Sequence, residues 1–389
     1  MISARKVAAA IEDAVRQIYK KPEGIIPLHE PFFDGNEWKF VKDCIDTGWV
    51  SSVGSYVDKF EEMVSEYTGA RNAVATVNGT AALHTALVLD GVTPGDEVLC
   101  PAFSFAATAN AVIYCDAFPV FLDSDPITLG MDVRKVRMFL NSRGVKEKGG
   151  FTYNRRSGRR IKACLPMHTY GCPVEMEPLA TICGEYNVSV IEDAAEALGS
   201  FYRGKHCGTI GRLGILSFNG NKVVTTGGGG MILTDDNELA TRAKHLTTTA
   251  RVGSSREHLH DDVGYNYRMP NLNAALGCGQ LENLPIILEK KRTQAKKFKE
   301  YLSEISGIKT FESSTGEGNH WFDLVEVENV KADEVLKHLN KRGILARGGW
   351  TPLNTMKPYK KFESFRVEHA DELRGSLICL PNGILKSSL

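Results

Sequence analysis

The sequence predicts an α/β fold, a mostly parallel sheet with helices on both faces and a smaller α+β unit appended to it. Two observations carry that reading. Short β-branched runs alternate with helical patterns from "NAVATV" to "MILTDD", and strands joined by helices of this length form βαβ units. From about residue 285 the texture changes to a long charged helix "LPIILEKKRTQAKKFKEYLSEI", a strand-like "HWFDLVEV" and a second helix "KADEVLKHLNKRG".

Val7, Ile11, Val15 and Ile18 recur at helical spacing and predict an N-terminal helix. Prolines and a glycine in "KPEGIIPLHEP" end it. "NAVATV" reads as a strand, and a helix follows over "GTAALHTALVLDG", stopping at Gly91. "DEVLCPAF", "FPVFLD", "IKACLPMH" and "SVIEDAAEA" supply further strands, with helices over "SFAATANAVIYC" and "MEPLATICGEYN". "GILSFN" and "MILTDD" complete the set. The expected division is an N-terminal helix over 1–24, a large domain over 25–260 and a small C-terminal domain over 261–389.

Composition narrows the function. Basic and acidic residues balance at 47 each, so no net field gathers nucleic acid or an anionic membrane. Nine cysteines occur singly with no C-x-x-C pair, which argues against a zinc ribbon or a thioredoxin-like site. Without a signal peptide or an apolar span, reduced thiols and a cytoplasmic location are expected. Residues 141–162 hold eight basic side chains and one acidic one. They read either as a solvated hairpin turning at Ser157-Gly158 or as an arm reaching a phosphate.

Ligands of such sheets sit beyond the carboxyl ends of the strands. There the chain places Asn78-Gly79-Thr80, Phe103 to Phe105, His168 and Glu192-Asp193. "SFNGNKVVTTGGGGMILTDD" adds Lys222 ahead of four glycines. Partial burial disfavours a lysine's charged form, and a neutral amine attacks carbonyl carbons. The glycines would leave space for a flat cofactor. Pyridoxal phosphate, joined to Lys222 as a Schiff base, fits these parts. Its ring nitrogen needs a buried carboxylate, for which Asp193 is the expected partner, and strand alternation turns Glu192 to the other face. Its phosphate needs a helix N-terminus, offered by Gly79 and Thr80 with the Ser217 hydroxyl beside them. Phe105 or Phe103 would cover one face of the ring. The G-x-x-x-x-G-K-[ST] and G-x-G-x-x-G nucleotide motifs do not occur, and no H-x-x-x-H helix offers a metal site.

"VIEDAAEALGSFYRGKHCGTIGRLGILSFNGNKVVTTGGGGMILTDD", together with "DVGYNYRMPNLNAALGCGQLENL", resembles the DegT/StrS family of pyridoxal-phosphate-dependent nucleotide-sugar aminotransferases. The likeness covers most of the chain. It implies the type I, aspartate-aminotransferase-like fold and a homodimer with shared active sites. By motif it implies that Lys222 is the Schiff-base lysine and Asp193 the partner of the ring nitrogen. Ser217, Gly79 and Thr80 would hold the phosphate, Phe105 would stack on the ring, and Asn266 would reach the phosphate of a second subunit. The family often has Gln or His at position 196, near the cofactor's phenolic oxygen, whereas this chain has Glu196. An ionised carboxylate would repel that oxygen, so Glu196 is expected to be protonated, turned away or paired with a base, with a raised pKa. His320, Trp321 and Arg347 fall in stretches that would read the sugar.

The closest likeness is to the branch that aminates a UDP-linked 4-keto-6-deoxy-N-acetylhexosamine for bacterial surface glycans, with L-glutamate as donor. A GDP- or dTDP-linked 4-keto-6-deoxyhexose is the alternative. Dehydrases of the same fold lack the Schiff-base lysine, so Lys222 argues against them. A non-catalytic regulator would carry a DNA-binding domain larger than the single helix before "HEP".

Overall fold

The computed structural model describes residues 3–147, 149–253 and 258–384. Helices α1 (Ala4–Ile18), α2 (Glu37–Thr47) and α3 (Ser55–Thr68) lead to strand β1 (Asn72–Thr76). Then come α4 (Gly79–Leu89), β2 (Glu97–Pro101), α5 (Ala106–Tyr114), β3 (Phe118–Leu122), α6 (Val133–Arg143), β4 (Ile161–Cys164), α7 (Met176–Glu185) and β5 (Ser189–Asp193). Strands β6 (Leu213–Ser217) and β7 (Gly230–Thr234) and helices α8 (Asn237–Thr247), α9 (Asn271–Glu282) and α10 (Leu284–Leu302) follow. The chain ends with β8 (Ile308–Thr310), β9 (Asp323–Val327), α11 (Ala332–Lys341), β10 (Arg347–Gly348), β11 (Ser364–Phe365), α12 (His369–Ser376) and β12 (Leu377–Leu380).

The main sheet runs β1-β7-β6-β5-β4-β2-β3-β11. Strand β7 is antiparallel to both of its neighbours, and the remaining pairings are parallel. The carboxyl ends of β1, β2, β4, β5 and β6 therefore share one edge. A second, antiparallel sheet runs β8-β9-β12-β10.

Two apolar clusters hold these layers. Val7, Ile11 and Val15 of α1 pack with Leu302, Val335, Leu339 and Ile378 in the smaller cluster, each such burial contributing roughly 1.5–3 kcal/mol. The N-terminal helix is thus part of the small unit. The boundary between the clusters runs along α10, where Leu284, Ile287 and Leu288 join the large core and Phe298 and Leu302 the small one. Packing therefore does not divide at residue 261, because α9 lies against α2 and α3.

The basic stretch pairs Gly144–Lys146 with Thr152–Asn154 as an antiparallel hairpin whose turn lies before the expected Ser157-Gly158. There a single bridge, Tyr153 to Arg160, marks a second reversal, and residue 148 lies outside the described residues. Its charges are tied to the molecule itself. Arg160 pairs with Asp96, Arg156 with Glu363 and Lys162 with Asp90, while the Arg159 guanidinium lies 3.9 Å over the Phe118 ring. These contacts favour the hairpin reading over a phosphate-seeking arm. The nine cysteines are free and buried, and no helix among the described residues is long and apolar enough to cross a membrane.

Candidate active site

A cavity of about 290 Å³ opens at the carboxyl edge of the main sheet. One end is a helix N-terminus. Asn78 caps α4, its Oδ1 accepting the Ala81 N–H at 2.8 Å. The cap leaves the N–H groups of Gly79 and Thr80 without partners among the described residues. Such an end attracts anions through its dipole and its free donors. Ser217, at the end of β6, closes the same corner so tightly that a Cβ on Gly79 would stand 3.0 Å from the Ser217 Cβ.

The four glycines after Lys222 serve this corner, and none of them lines the cavity. Gly227 turns the chain at φ +76°. Gly230 lies in register with Thr76 on one side and Ser217 on the other. A Cβ there would come within 2.5 Å of the Asn78 carbonyl. Gly230 seats β7 against the start of α4, and with no glycine of the run on the cavity, the expectation that they make room for a flat ring is corrected. Gly230→Ala is expected to destabilise the protein by about 1–3 kcal/mol through overpacking and to weaken phosphate-dependent cofactor binding, measurable by thermal melts and by cofactor titration.

Asp193 ends β5. Its Oδ2 accepts the Thr108 hydroxyl at 2.7 Å and its Oδ1 the Ala195 N–H at 3.2 Å. Burial pushes its carboxyl above the usual range, against the pull of the Thr108 hydrogen bond. Glu192 points to the opposite face, as alternation requires. There it accepts N–H groups from Gly208, Ile210 and Gly211, and His168 Nε2 lies 2.9 Å away. His168 Nδ1 accepts the Val174 N–H, which places the ring proton on Nε2, facing Glu192. His168 braces Glu192 behind the sheet and does not line the cavity.

Lys222 Nζ lies 3.0 Å from Glu196 Oε1 and 4.0 Å over the Trp321 ring. Glu196 Oε2 accepts the Tyr170 N–H at 2.9 Å. Burial pushes the Glu196 carboxyl up, with the Lys222 ammonium opposing. Of the three arrangements expected for Glu196, the structure shows pairing with a base, and that base is Lys222 itself.

Phe105 stands 57% exposed at the cavity mouth. Phe103 is fully buried against Tyr170 and Trp350 and belongs to the core. Trp321 and Arg347 line the cavity; His320 does not. His320 lines a separate cavity of about 660 Å³ between α10 and residues 310–325. Asn266 is exposed and outside the cavity, its backbone bridged to Thr248. Sequence reasoning missed Thr108, Tyr170, Asn221 and Trp350. Thr108 had a usable signal, since it lies one turn from Ser104 on α5, and the two hydroxyls are 2.7 Å apart.

An anion cradle, a buried carboxyl and a lysine amine on one cavity suit a phosphorylated, nitrogen-containing ring with an aldehyde, and pyridoxal phosphate is that molecule. Comparison with known proteins agrees. The DegT/DnrJ/EryC1/StrS aminotransferase family model matches residues 32–384. GDP-perosamine synthase of Caulobacter vibrioides is 37% identical over 339 residues, 86% of each chain. EpsN of Bacillus subtilis, described as a pyridoxal phosphate-dependent aminotransferase, is 36% identical over 92% of this chain and 91% of its own. Among solved structures, the aminotransferase TlmJ from Streptoalloteichus hindustanus superposes with a TM-score of 0.82 at 28% identity, covering 92% of this chain and 94% of its own. The mostly parallel sheet and its small partner are the type I fold of these neighbours. The chain belongs to the DegT/DnrJ/EryC1/StrS aminotransferase family and is an enzyme that works with pyridoxal phosphate.

Proposed function

We propose that this enzyme moves an amino group from L-glutamate to C4 of a GDP-linked 4-keto-6-deoxyhexose. The observation that carries the chemistry is the meeting of Lys222, Asp193 and the Gly79–Thr80 helix start on one cavity. The 37% identical relative named GDP-perosamine synthase supports a GDP-linked sugar over the UDP-linked sugar that the resemblance implied.

Lys222 would hold the cofactor's aldehyde carbon, Asp193 its ring nitrogen, and Gly79, Thr80 and Ser217 its phosphate. Phe105 would cover the ring. When bound, the cofactor supplies an electron sink for the substrate carbanion. Lys222 Nζ then serves as the base that carries the transferred proton, and Glu196 Oε1, at 3.0 Å, is placed to hold it in turn. Trp321 and Arg347 stand where the sugar would enter. Two substrates taking turns in one cavity give ping-pong kinetics.

The proposal includes a homodimer. Trp38, Ile45, Trp49, Val50 and Val53 are exposed along one stretch, Trp38 by 76%. An apolar run of this kind marks a surface that another chain covers. Asn266, outside its own cavity, would then be free to serve the cofactor phosphate of the second subunit. Light scattering is expected to give twice the chain mass; a monomer at working concentration contradicts this part.

Two tests address the chemistry. With glutamate as donor, a panel of GDP-, UDP- and dTDP-linked 4-keto sugars read by product mass is expected to show the GDP sugar preferred at least about tenfold in kcat/KM, about 1.4 kcal/mol. Preference for the UDP sugar reverses the nucleotide assignment. A carboxylate beside a nitrogen favours its protonated form. Glu196→Gln is therefore expected to lower, by about one unit, the pH midpoint of the visible absorbance of the cofactor-loaded enzyme. Coincident titration curves would remove Glu196 from the proton path.

A further inference from the structure

Helix α10 is rich in charge, yet its Lys291 is only 1% exposed. Fully buried lysines are rare unless they are paired. Among the described residues no carboxylate comes within ion-pair distance of Lys291. Its Nζ donates to two backbone carbonyls, Asn382 O at 2.6 Å and Trp321 O at 3.3 Å. Burial pushes its pKa down to about 7, with Asp323 pulling the other way. An apolar side chain would fill the same space at lower cost, so the two hydrogen bonds need a reason.

The reason lies one residue chain further on. Trp321 follows His320, which sits in the left-handed region at φ +51°. A non-glycine residue there persists only where its surroundings over-determine it. The surroundings do so here. Asn319 Oδ1 accepts the Trp321 N–H, Asn382 Nδ2 donates to His320 O, and Lys291 holds Trp321 O. Thus fixed, the Trp321 indole donates to Asn221 O at 2.6 Å and lays its face 4.0 Å from Lys222 Nζ. Asn319 also donates to the carbonyls of Glu196 and Leu198. The 319–321 turn therefore joins the Glu196 loop to the Lys222 loop.

We propose that Lys291 is a positioning residue of the transaminase site: by holding the carbonyl of Trp321 it fixes the indole that aligns Asn221 and the Lys222 amine. This rests on the reading of Lys222 as the cofactor-carrying lysine. Lys291 does not line the cavity and acts through the 319–321 turn, on Trp321 O directly and on His320 O by way of Asn382.

Lys291→Met keeps an unbranched apolar stem, one atom shorter, and removes the donors. In the cofactor-free variant, hydrogen exchange of the amides around 219–222 is expected to speed up about tenfold, the opening of a local unit that costs less than global unfolding. In the loaded variant, kcat is expected to fall about 10- to 100-fold, the scale of a small misalignment, with KM for both substrates within about threefold. Lys291→Gln, which retains a donor, recovers part of the rate and serves if the Met variant does not fold. Trp321→Phe lacks the indole N–H, and in that background Lys291→Met is expected to add no further loss. Unchanged exchange at 219–222, or losses that multiply in the double variant, would overturn the proposal. Peptide mapping of the cofactor's lysine separates this failure from failure of the Lys222 assignment.

Discussion

Lys222→Ala is expected to lower kcat by about 10³- to 10⁴-fold, because in the proposed assignment one amine would serve both as cofactor anchor and as proton carrier. Its second effect is on stability. The substitution leaves Glu196 buried without the ammonium 3.0 Å away. An uncompensated buried charge costs roughly 3–5 kcal/mol unless it is neutralised. The Glu196 pKa is already raised by burial and rises further once the ammonium is gone. A carboxyl with a raised folded-state pKa contributes its full stability below the ordinary carboxylate range and loses it as pH climbs through the raised value. The melting-temperature deficit of Lys222→Ala should therefore be small below the ordinary carboxylate range and grow as pH climbs above it. Adding Glu196→Gln should restore the melting temperature and leave activity absent. A deficit independent of pH would show that Glu196 is not its source.

Asp193→Asn is expected to separate activity from stability in the opposite direction. Losing the carboxyl proposed to face the ring nitrogen should lower kcat by about 10²- to 10³-fold, the cost of one preorganised electrostatic contact. The cofactor-free protein should nevertheless gain stability at neutral pH. Burial raises the Asp193 pKa, so ionising it as pH climbs costs the folded state, and an amide carries no such cost. The amide can keep both partners with its oxygen on the Ala195 N–H and its nitrogen donating to the Thr108 hydroxyl, which then donates to Ser104 Oγ. The gain should vanish below the ordinary carboxylate range and widen as pH climbs above it, read by calorimetry. A variant less stable at every pH would mean that the carboxylate is satisfied in ways the Thr108 and Ala195 contacts do not show.

Much of the fold was legible in the sequence because its signals are local. The period of α1, the apolar run that ends at Asp193 and the Asn-Gly-Thr start of α4 each fix an element by themselves. The opposite facing of Glu192 and Asp193 follows from alternation alone. What escaped depends on partners distant in sequence. The glycine run looked like space for a ligand, whereas Gly230 is required by its approach to Asn78. His320 and Trp321 are neighbours in sequence, yet the left-handed turn at His320 sends one to each cavity. The Lys222–Glu196 pair spans 26 positions and has no local mark. Nor does composition hint at the burial of Lys291 within an otherwise solvated helix.

Two lysine nitrogens lie near the site, part-buried Lys222 on the cavity and buried Lys291 behind Trp321. Borohydride reduction of the pyridoxal phosphate-loaded protein, followed by proteolysis and peptide mass mapping, decides between them directly. The cofactor mass should appear on the peptide that contains Lys222, with none on Lys291. Label on Lys291, or a loaded enzyme that borohydride leaves unlabelled, would contradict the account.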